Sequence, residues 1–277
     1  MLIDGPEFNN DPNKAPFNFY GNLELRSGTF NSTKGFALYN FTGSSLQYII
    51  GDFTDESSIR VLRINNNVEI TGDVEVSRNL DLYGGNLITS STNSIRLFSN
   101  TEINTLSTPS EYYIDGPIIK NMVSGSSFYF PIGDNNRSSQ INLNNTLGFT
   151  GTKEWIVEYY NTFPGSNGYD PENINQVAEI IESVSGNEYW YVSGPNGGEA
   201  DIELRWDSNS GVTDPNDLRV MEGSATSFTG WTNAGGANIT GDASYGTVSS
   251  NNGAGSAGRI TFSDKVFTLG TISIDDP

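Results

Sequence analysis

The chain has 277 residues, of which 35% are hydrophobic and 12% aromatic, so it can hold one large all-β domain or two smaller ones. Fourteen Lys and Arg residues against 33 Asp and Glu residues give a formal net charge of -19, which opposes binding to nucleic acid and to anionic membranes. The sequence has no Cys and no His, which excludes disulfides, Cys-His and Ser-His-Asp triads and the usual zinc ligand sets. An enzyme would have to use Asp, Glu, Tyr, Lys or Arg side chains.

Residues 1–18 are rich in Pro and Asn and are predicted to form an extended lead-in. This segment has neither the basic region nor the apolar run of a signal peptide. No stretch of the sequence reaches the roughly 18 apolar residues of a membrane-spanning helix, so no membrane insertion is expected. Short strands begin at Phe19, and residues 19–146 are predicted to form a β-solenoid with a C-terminal cap.

A repeat between Ile59 and Leu106 organises this first half. Apolar-charged-apolar triplets recur about every six to eight residues, separated by tight turns rich in Asn and Gly. Such alternation is the period-2 pattern of strands with one buried face. Strands this short favour a right-handed parallel β-helix with three strands per coil. A meander of short antiparallel hairpins in a sandwich is the alternative.

The triplets also predict which side chains face the interior. The charged residues between the apolar ones, Glu69, Glu75, Asp81 and Arg96, are expected to face water. The predicted interior residues are Ile64, Val68, Ile70, Val74, Val76, Leu80, Leu82, Ile95 and Leu97.

The pattern changes after the repeat. Residues 111–147 hold two strands interrupted by Gly and Pro, and they are interpreted as the cap that ends the solenoid. From residue 147 to 277 the strands are longer and rich in aromatic residues, with long loops between them. This pattern predicts an antiparallel β-sandwich of the immunoglobulin or jelly-roll kind, so the whole chain is predicted to be all-β.

Several motifs carry a family resemblance. Tyr113–Lys120 (YIDGPIIK) followed by Phe128–Gly133 (FYFPIG) resembles a motif of large secreted surface proteins of the Bacteroidota, where it often follows coils like these. Elements of the second half that are similar to the same proteins are Ser183–Trp190, Ile202–Trp206 and Phe267–Gly270. The resemblance implies type IX secretion and adhesin-like use at the cell surface. It implies no catalytic residues, because the matched positions are Gly, Pro and buried aromatic types.

The loop between residues 207 and 217 is the densest set of oxygen ligands in the sequence. Asp207 and Asn209 fit the first positions of a calcium loop, and Asp214 adds a second carboxylate. Position twelve is Leu218, where an EF-hand has Glu, so an ordinary Asx-turn loop is the alternative. No cofactor is required, and calcium is the one ion that the sequence suggests.

Aromatic side chains of the second half could stack on sugar rings. Trp231 lies in Thr229–Asn233, which is interpreted as a loop, so Trp231 is predicted to be a ligand contact. Trp190 lies in a strand between Tyr189 and Tyr191 and is predicted to belong to the core.

Three functions stay open. The first is a non-catalytic extracellular or cell-surface module, adhesin-like, that displays or spaces surfaces for an extracellular polysaccharide or another surface protein. The second is a carbohydrate-binding module of a secreted glycan-utilisation protein. The third is a glycan-active β-helix enzyme that uses carboxylates. Such an enzyme needs grouped acids, whereas the acids of the repeat occur one per coil, so no catalytic residue is assigned.

Overall fold

The computed structural model describes residues 1–9, 16–31, 37–106, 111–175, 180–250 and 259–273. The chain divides into two compact units, Met1–Asn121 and Met122–Pro277. The boundary predicted from the sequence, between residues 146 and 147, lies later in the chain. Each unit has its own β architecture.

The first unit is built from short strands and one 3-10 turn, Asp55–Ser57. Its strands are β1 (Leu2–Asn9), β2 (Phe17–Phe19), β3 (Leu23–Asn31), β4 (Leu38–Phe41), β5 (Gln47–Ile50), β6 (Ile59–Ile64), β7 (Val68–Thr71), β8 (Val74–Leu82), β9 (Leu87–Ile88), β10 (Ile95–Leu97), β11 (Glu102–Thr105), β12 (Ile114–Asp115) and β13 (Ile118–Val123).

These strands stack as coils. Within the described part of this unit, every ladder between named strands is parallel. One face consists of β5, β7, β9 and β12, and a second consists of β4, β6, the end of β8 and β11. The third face contains Phe53, the start of β8, β10 and β13. The unit is therefore a β-solenoid of about five turns, as predicted, and the antiparallel meander is excluded.

The interior of the solenoid consists of apolar side chains stacked in register. All nine predicted interior residues are at most 2% exposed, which confirms the pattern from the sequence. Val74 pairs with Ile95, which pairs in turn with Ile118, and all three side chains are fully buried. Burying each such side chain contributes about 1.5–3 kcal/mol, so the stacked columns hold the coils together.

The prediction of an extended lead-in over residues 1–18 is wrong for much of its length. β1 forms a parallel ladder with β3, and β2 forms one with β4, so both belong to the solenoid. Ile3 is buried, and Phe19 stacks on Phe41 with 4.9 Å between the ring centroids. The coil next to it offers backbone partners regardless of side-chain type, so a polar, Pro-containing strand can add to the stack. Residues 10–15 lie outside the described residues.

The second unit is an antiparallel sandwich. Its strands are β14 (Phe128–Asp134), β15 (Arg137–Leu147), β16 (Thr152–Tyr160), β17 (Ile181–Val184), β18 (Tyr189–Ser193), β19 (Glu199–Asp207), β20 (Leu218–Ser224), β21 (Thr232–Gly235), β22 (Ala237–Asp242), β23 (Tyr245–Ser249), β24 (Ile260–Thr261) and β25 (Asp264–Ile272). Two 3-10 turns, Pro164–Asn167 and Pro215–Asp217, lie between them. One sheet has the order β14-β15-β19-β23-β22 and the other β16-β18-β25-β20-β21, with β24 on β19 and β17 on β25. Trp155, Trp190 and Trp206 fill the core.

The segment predicted to cap the solenoid contributes two strands to the sandwich. β14 pairs with β15, and β15 pairs with β19, in antiparallel ladders. The sequence of β15 is mostly polar, so it resembles a loop, but Ile141 and Leu143 alternate into the core and are fully buried. Two buried residues are enough to orient this strand, because its other face carries the polar side chains.

Candidate binding groove on the solenoid

Six polar residues line a groove on the first unit. These residues are Arg60, Ser77, Arg78, Asn79, Asn100 and Glu102. The groove has a volume of about 490 Å³, within the range of about 300–1,000 Å³ that is common for small-molecule sites. None of the six is aromatic, so a ligand would be held through hydrogen bonds and charge.

A β-bulge creates the groove. Ile59 pairs with Val76, but Val61 pairs with Asn79, so β8 has one more residue than β6 at this point. Ser77 and Arg78 together therefore lie opposite the single residue Arg60, which is the geometry of a bulge. The bulge bends β8 where it passes from one face of the coil to the next, and it turns these polar side chains to the outside.

A short loop closes the other side of the groove. β8 pairs with β10 along its first residues and with β11 along its last, and residues 98–101 connect those two strands. Thr101 Oγ1 donates to the carbonyl of Val76 over 2.7 Å, and the Phe98 N–H donates to the same carbonyl over 3.1 Å. The loop is thus bonded to the bulged strand, with Asn100 at the groove.

Lys120 supports this loop from the interior. Its side chain is 2% exposed, and its ammonium Nζ donates to the carbonyl oxygens of Phe98 (2.5 Å), Ser99 (3.2 Å) and Thr101 (2.8 Å). Burial lowers the pKa of Lys120 to about 8, and the carboxylate of Glu102 acts in the opposite direction. A buried amine with three carbonyl partners fixes the loop that forms one wall of the groove.

The groove is locally rich in positive charge. The guanidiniums of Arg60 and Arg78 line it, and the ammonium of Lys120 lies behind the loop. Glu102 is the single carboxylate among the six lining residues, and it attracts the charge of Lys120. Guanidinium groups present planar sets of N–H donors that match carboxylate, sulfate and phosphate oxygens.

Polar side chains also form a ladder along the outer face of the solenoid. Asn18, Asn40, Arg63, Asp81 and Asn104 occupy paired positions on successive coils. Arg63 donates two hydrogen bonds to Asp81 Oδ2 (2.9 and 2.8 Å), and Asn104 donates one to Oδ1 (2.8 Å). The prediction that Asp81 faces water is therefore wrong: the side chains on the coils to either side cover it, and it is 2% exposed.

A charged cluster in the second unit links its two sheets. Arg137 Nη2 lies 3.0 Å from Glu188 Oε2 and 2.9 Å from Asp207 Oδ1, and the Tyr159 hydroxyl donates to Glu188 Oε2 over 2.7 Å. Burial raises the pKa of Glu188, which is fully enclosed, and the Arg137 guanidinium opposes that shift. Burial also raises the pKa of Tyr159, so this phenol stays protonated and donates. The cluster joins the β15-containing sheet to the β18-containing sheet.

The carboxylates of the predicted calcium loop have partners within the chain. Asp207 accepts from Arg137 Nε and Nη2 (3.1 and 2.9 Å) and from the backbone N–H of Asn209 (2.7 Å). Asp214 accepts from the backbone N–H of Asn216 and caps the turn Pro215–Asp217. Among the described residues there is no group of three or more Asp, Glu, Cys or His side chains that could hold a metal. Calcium binding by Asp207, Asn209 and Asp214 stays a prediction.

The prediction that Trp231 is an exposed ligand contact is wrong. Its side chain is fully buried and packs edge-on against Phe228, with 5.2 Å between the ring centroids. Its backbone forms hydrogen bonds with Asn173 and Asn175. The segment Thr229–Asn233, which was interpreted as a loop, is therefore paired with a distant part of the chain. Trp190 is fully buried, which confirms its prediction.

Arg60 and Arg78 are groove residues that were not among the sites predicted from the sequence. The signal is present as a break in the alternation. Three consecutive polar residues, Ser77, Arg78 and Asn79, separate the buried residues Val76 and Leu80. In a strictly alternating strand only one polar residue separates two buried ones. An extra residue of this kind is what a bulge needs.

Fold and groove together define an all-β protein in which a solenoid with an arginine-lined groove precedes a sandwich. Comparison with known proteins found no matching family model, no matching curated protein and no matching solved structure. In the part of the chain that the structure describes, no helix has the length and apolarity needed to cross a membrane.

Proposed function

We propose that this chain is a non-catalytic extracellular surface module, adhesin-like in kind, whose solenoid displays a binding surface on a stable scaffold. One observation carries the proposal: side chains from β6, the bulge of β8 and the loop before β11 converge on one groove. β8 forms parallel ladders with β6 on one side and with β10 and β11 on the other, and these ladders fix the backbone that carries the groove side chains. Such a groove is formed before a ligand arrives, so binding costs little ordering of the protein.

The extracellular location rests on the resemblance of Tyr113–Lys120 and Phe128–Gly133 to Bacteroidota surface proteins that use type IX secretion. A net charge of -19 suits a protein that must stay soluble at a surface. The partner is an extracellular polysaccharide or another surface protein.

A carbohydrate-binding module of a glycan-utilisation protein is the second candidate. The hydroxyl of Ser77 and the amides of Asn79 and Asn100 favour it, because these groups both donate and accept hydrogen bonds, as sugar hydroxyls do. A glycan-active enzyme is the weaker alternative. It would need a second carboxylate beside Glu102, since glycoside hydrolysis ordinarily uses a pair.

A bead-retention assay tests the proposal. Fluorescent beads coated with the purified chain are passed over films of dextran, dextran sulfate, polygalacturonate and gelatin. We expect retention above that of albumin-coated beads on at least one film, with unchanged polymer length after overnight incubation. Equal retention on every film would contradict a binding role, and shortened polymers would replace the non-catalytic proposal with the enzyme.

A further inference from the structure

We infer that a pocket at one end of the sandwich binds an uncharged saccharide against the ring of Phe149. The pocket has a volume of about 630 Å³, within the range of about 300–1,000 Å³ that is common for small-molecule sites. Its lining comes from two segments, residues 148–154 and 194–196. The pocket belongs to the second unit and shares no residue with the groove of the solenoid, so it is a further site of the chain.

Two connections between the sheets form the pocket. Residues 148–151 link β15 to β16, and residues 194–198 link β18 to β19. The two links lie in contact, because a Cβ on Gly148 would be only 2.3 Å from the carbonyl oxygen of Gly197. The Gly197 N–H also donates to the carbonyl of Phe262 over 3.1 Å. Backbone contacts therefore shape the pocket before a ligand arrives, which lowers the cost of binding.

A column of aromatic rings ends at the pocket. Trp155 is fully buried, and its ring centroid lies 4.9 Å from that of Phe262 and 6.1 Å from that of Phe149. Phe262 in turn lies 6.0 Å from Phe267, which is fully buried in the core. Phe149 is partly exposed and lines the pocket, so the last ring of the column is open to a ligand. The C–H groups on one face of a sugar ring can pack on such an aromatic face.

The polar groups of the pocket match sugar hydroxyls. Thr150 and Asn196 are exposed and carry a hydroxyl and an amide, which both donate and accept hydrogen bonds. Lys153 and Glu154 add one positive and one negative charge, so the lining has no net charge. The second unit has nineteen acidic and six basic residues, which disfavours an anionic ligand. The ring, the polar groups and the charge together favour an uncharged saccharide.

The test is affinity electrophoresis of the full chain in gels that each contain one uncharged polymer: dextran, soluble starch, hydroxyethyl cellulose or galactomannan. Retardation at several polymer concentrations gives the dissociation constant. Phe149→Ala removes the ring. Phe163→Ala is the matched control, because Phe163 is an aromatic residue of the same unit that is 50% exposed and lies outside the pocket lining. Both variants leave the residues of the groove unchanged.

We expect at least one of these polymers to retard the wild type. Its dissociation constant should change less than about twofold between about 10 and 150 mM NaCl, because an uncharged ligand is not subject to screening. Phe149→Ala should bind about tenfold or more weakly, since it removes the main apolar contact, and Phe163→Ala should stay within about twofold of the wild type.

A second variant serves if Phe149→Ala does not fold, as judged by its melting curve. Asn196→Ala then replaces it, because Asn196 is exposed and its amide is available to sugar hydroxyls. Loss of those hydrogen bonds should weaken binding about three- to tenfold. Unchanged binding by Asn196→Ala would contradict the inference.

Three further results would overturn it: no uncharged polymer is bound, Phe149→Ala binds as tightly as the wild type, or Phe163→Ala weakens binding as much as Phe149→Ala. Binding that disappears at the higher salt concentration would replace the uncharged saccharide with a charged ligand. Retention by gelatin alone, lost in Phe149→Ala, would replace it with a Pro-rich peptide. The proposed surface role does not depend on these outcomes, because it rests on the groove of the first unit.

Discussion

At the scale of single residues, the buried charges Asp81, Lys120, Arg137 and Glu188 have partners within the chain. Glu188 is bound by Arg137 and Tyr159, and Lys120 is bound by three carbonyl oxygens. Asp81 is bound by Arg63 on the neighbouring coil. Enclosed charges are tolerated only when such partners are present, because removing one partner leaves the other buried and uncompensated. These groups therefore define the fold as much as the apolar residues do.

Replacing Trp231 by Ala should lower the free energy of unfolding of the second unit by about 3–5 kcal/mol, because a fully buried indole leaves a cavity. Urea denaturation followed by tryptophan fluorescence and circular dichroism measures the change. Phe163 in the same unit is 50% exposed, so Phe163→Ala is the matched control and should cost less than about 1 kcal/mol. A Trp231→Ala variant as stable as the wild type would contradict the burial of this residue and would support the prediction that it is an exposed ligand contact.

The burial of a side chain could be predicted from the sequence where it depends on alternation within a single strand. Alternation alone identified the interior positions of the solenoid, including Val74 and Ile95. It could not identify the environment of Trp231, which depends on Asn173 and Phe228, or that of Asp81, which Arg63 on the coil before it covers. Burial of that kind is decided by tertiary contacts that the local pattern does not contain.

At the scale of elements, the solenoid depends on the equivalence of its coils. β10, for example, is held by β8 on one side and by β13 on the other, and apolar residues lie above apolar residues. A substitution in one coil therefore disturbs the coils that pack on it. The bulge in β8 is the exception to this regularity, and it is the place where the groove forms.

Val74→Asp should unfold the first unit, because the fully buried position offers no partner for a carboxylate and an unpaired buried charge costs several kcal/mol. Thermal denaturation of the full chain measures the loss. Glu75, which the sequence predicts to face water, is a poor control position because its carboxylate accepts from the Asp55 N–H and lies near Arg96. Glu69→Lys, at a half-buried outer position, is the better control and should change stability by less than about 0.5 kcal/mol. Equal melting of the two variants would show that the inside and outside of the coil are assigned wrongly.

At the scale of the whole molecule, the all-β class and the succession of solenoid and sandwich could be predicted from strand length and spacing. The boundary could not, because β14 and β15 are assigned to the sandwich only by their antiparallel partners. Charge is unevenly divided: the first unit has fourteen acidic and eight basic residues, and the second has nineteen acidic and six basic residues.

This division predicts a salt effect on stability. Raising NaCl from about 10 to 150 mM shortens the Debye length from about 30 to about 8 Å, which screens repulsion among the acidic side chains. Calorimetry should show a higher melting temperature, with the larger increase in the transition that Trp231→Ala shifts. A fall in that melting temperature would contradict the expectation. CaCl₂ at the same ionic strength is the control, and a further increase with it would support calcium binding near Asp207.

The three carbonyl oxygens around Lys120 have a consequence for chemical labelling. Acylation of an amine requires space for the reagent, and the closed coil offers none at this nitrogen. Lys153, in contrast, is exposed and can react at once. Each acyl group that Lys120 acquires therefore records one opening of the coil around it. The rate at which Lys120 is acylated, measured by mass spectrometry of the peptide that contains it, therefore reports local opening of the solenoid.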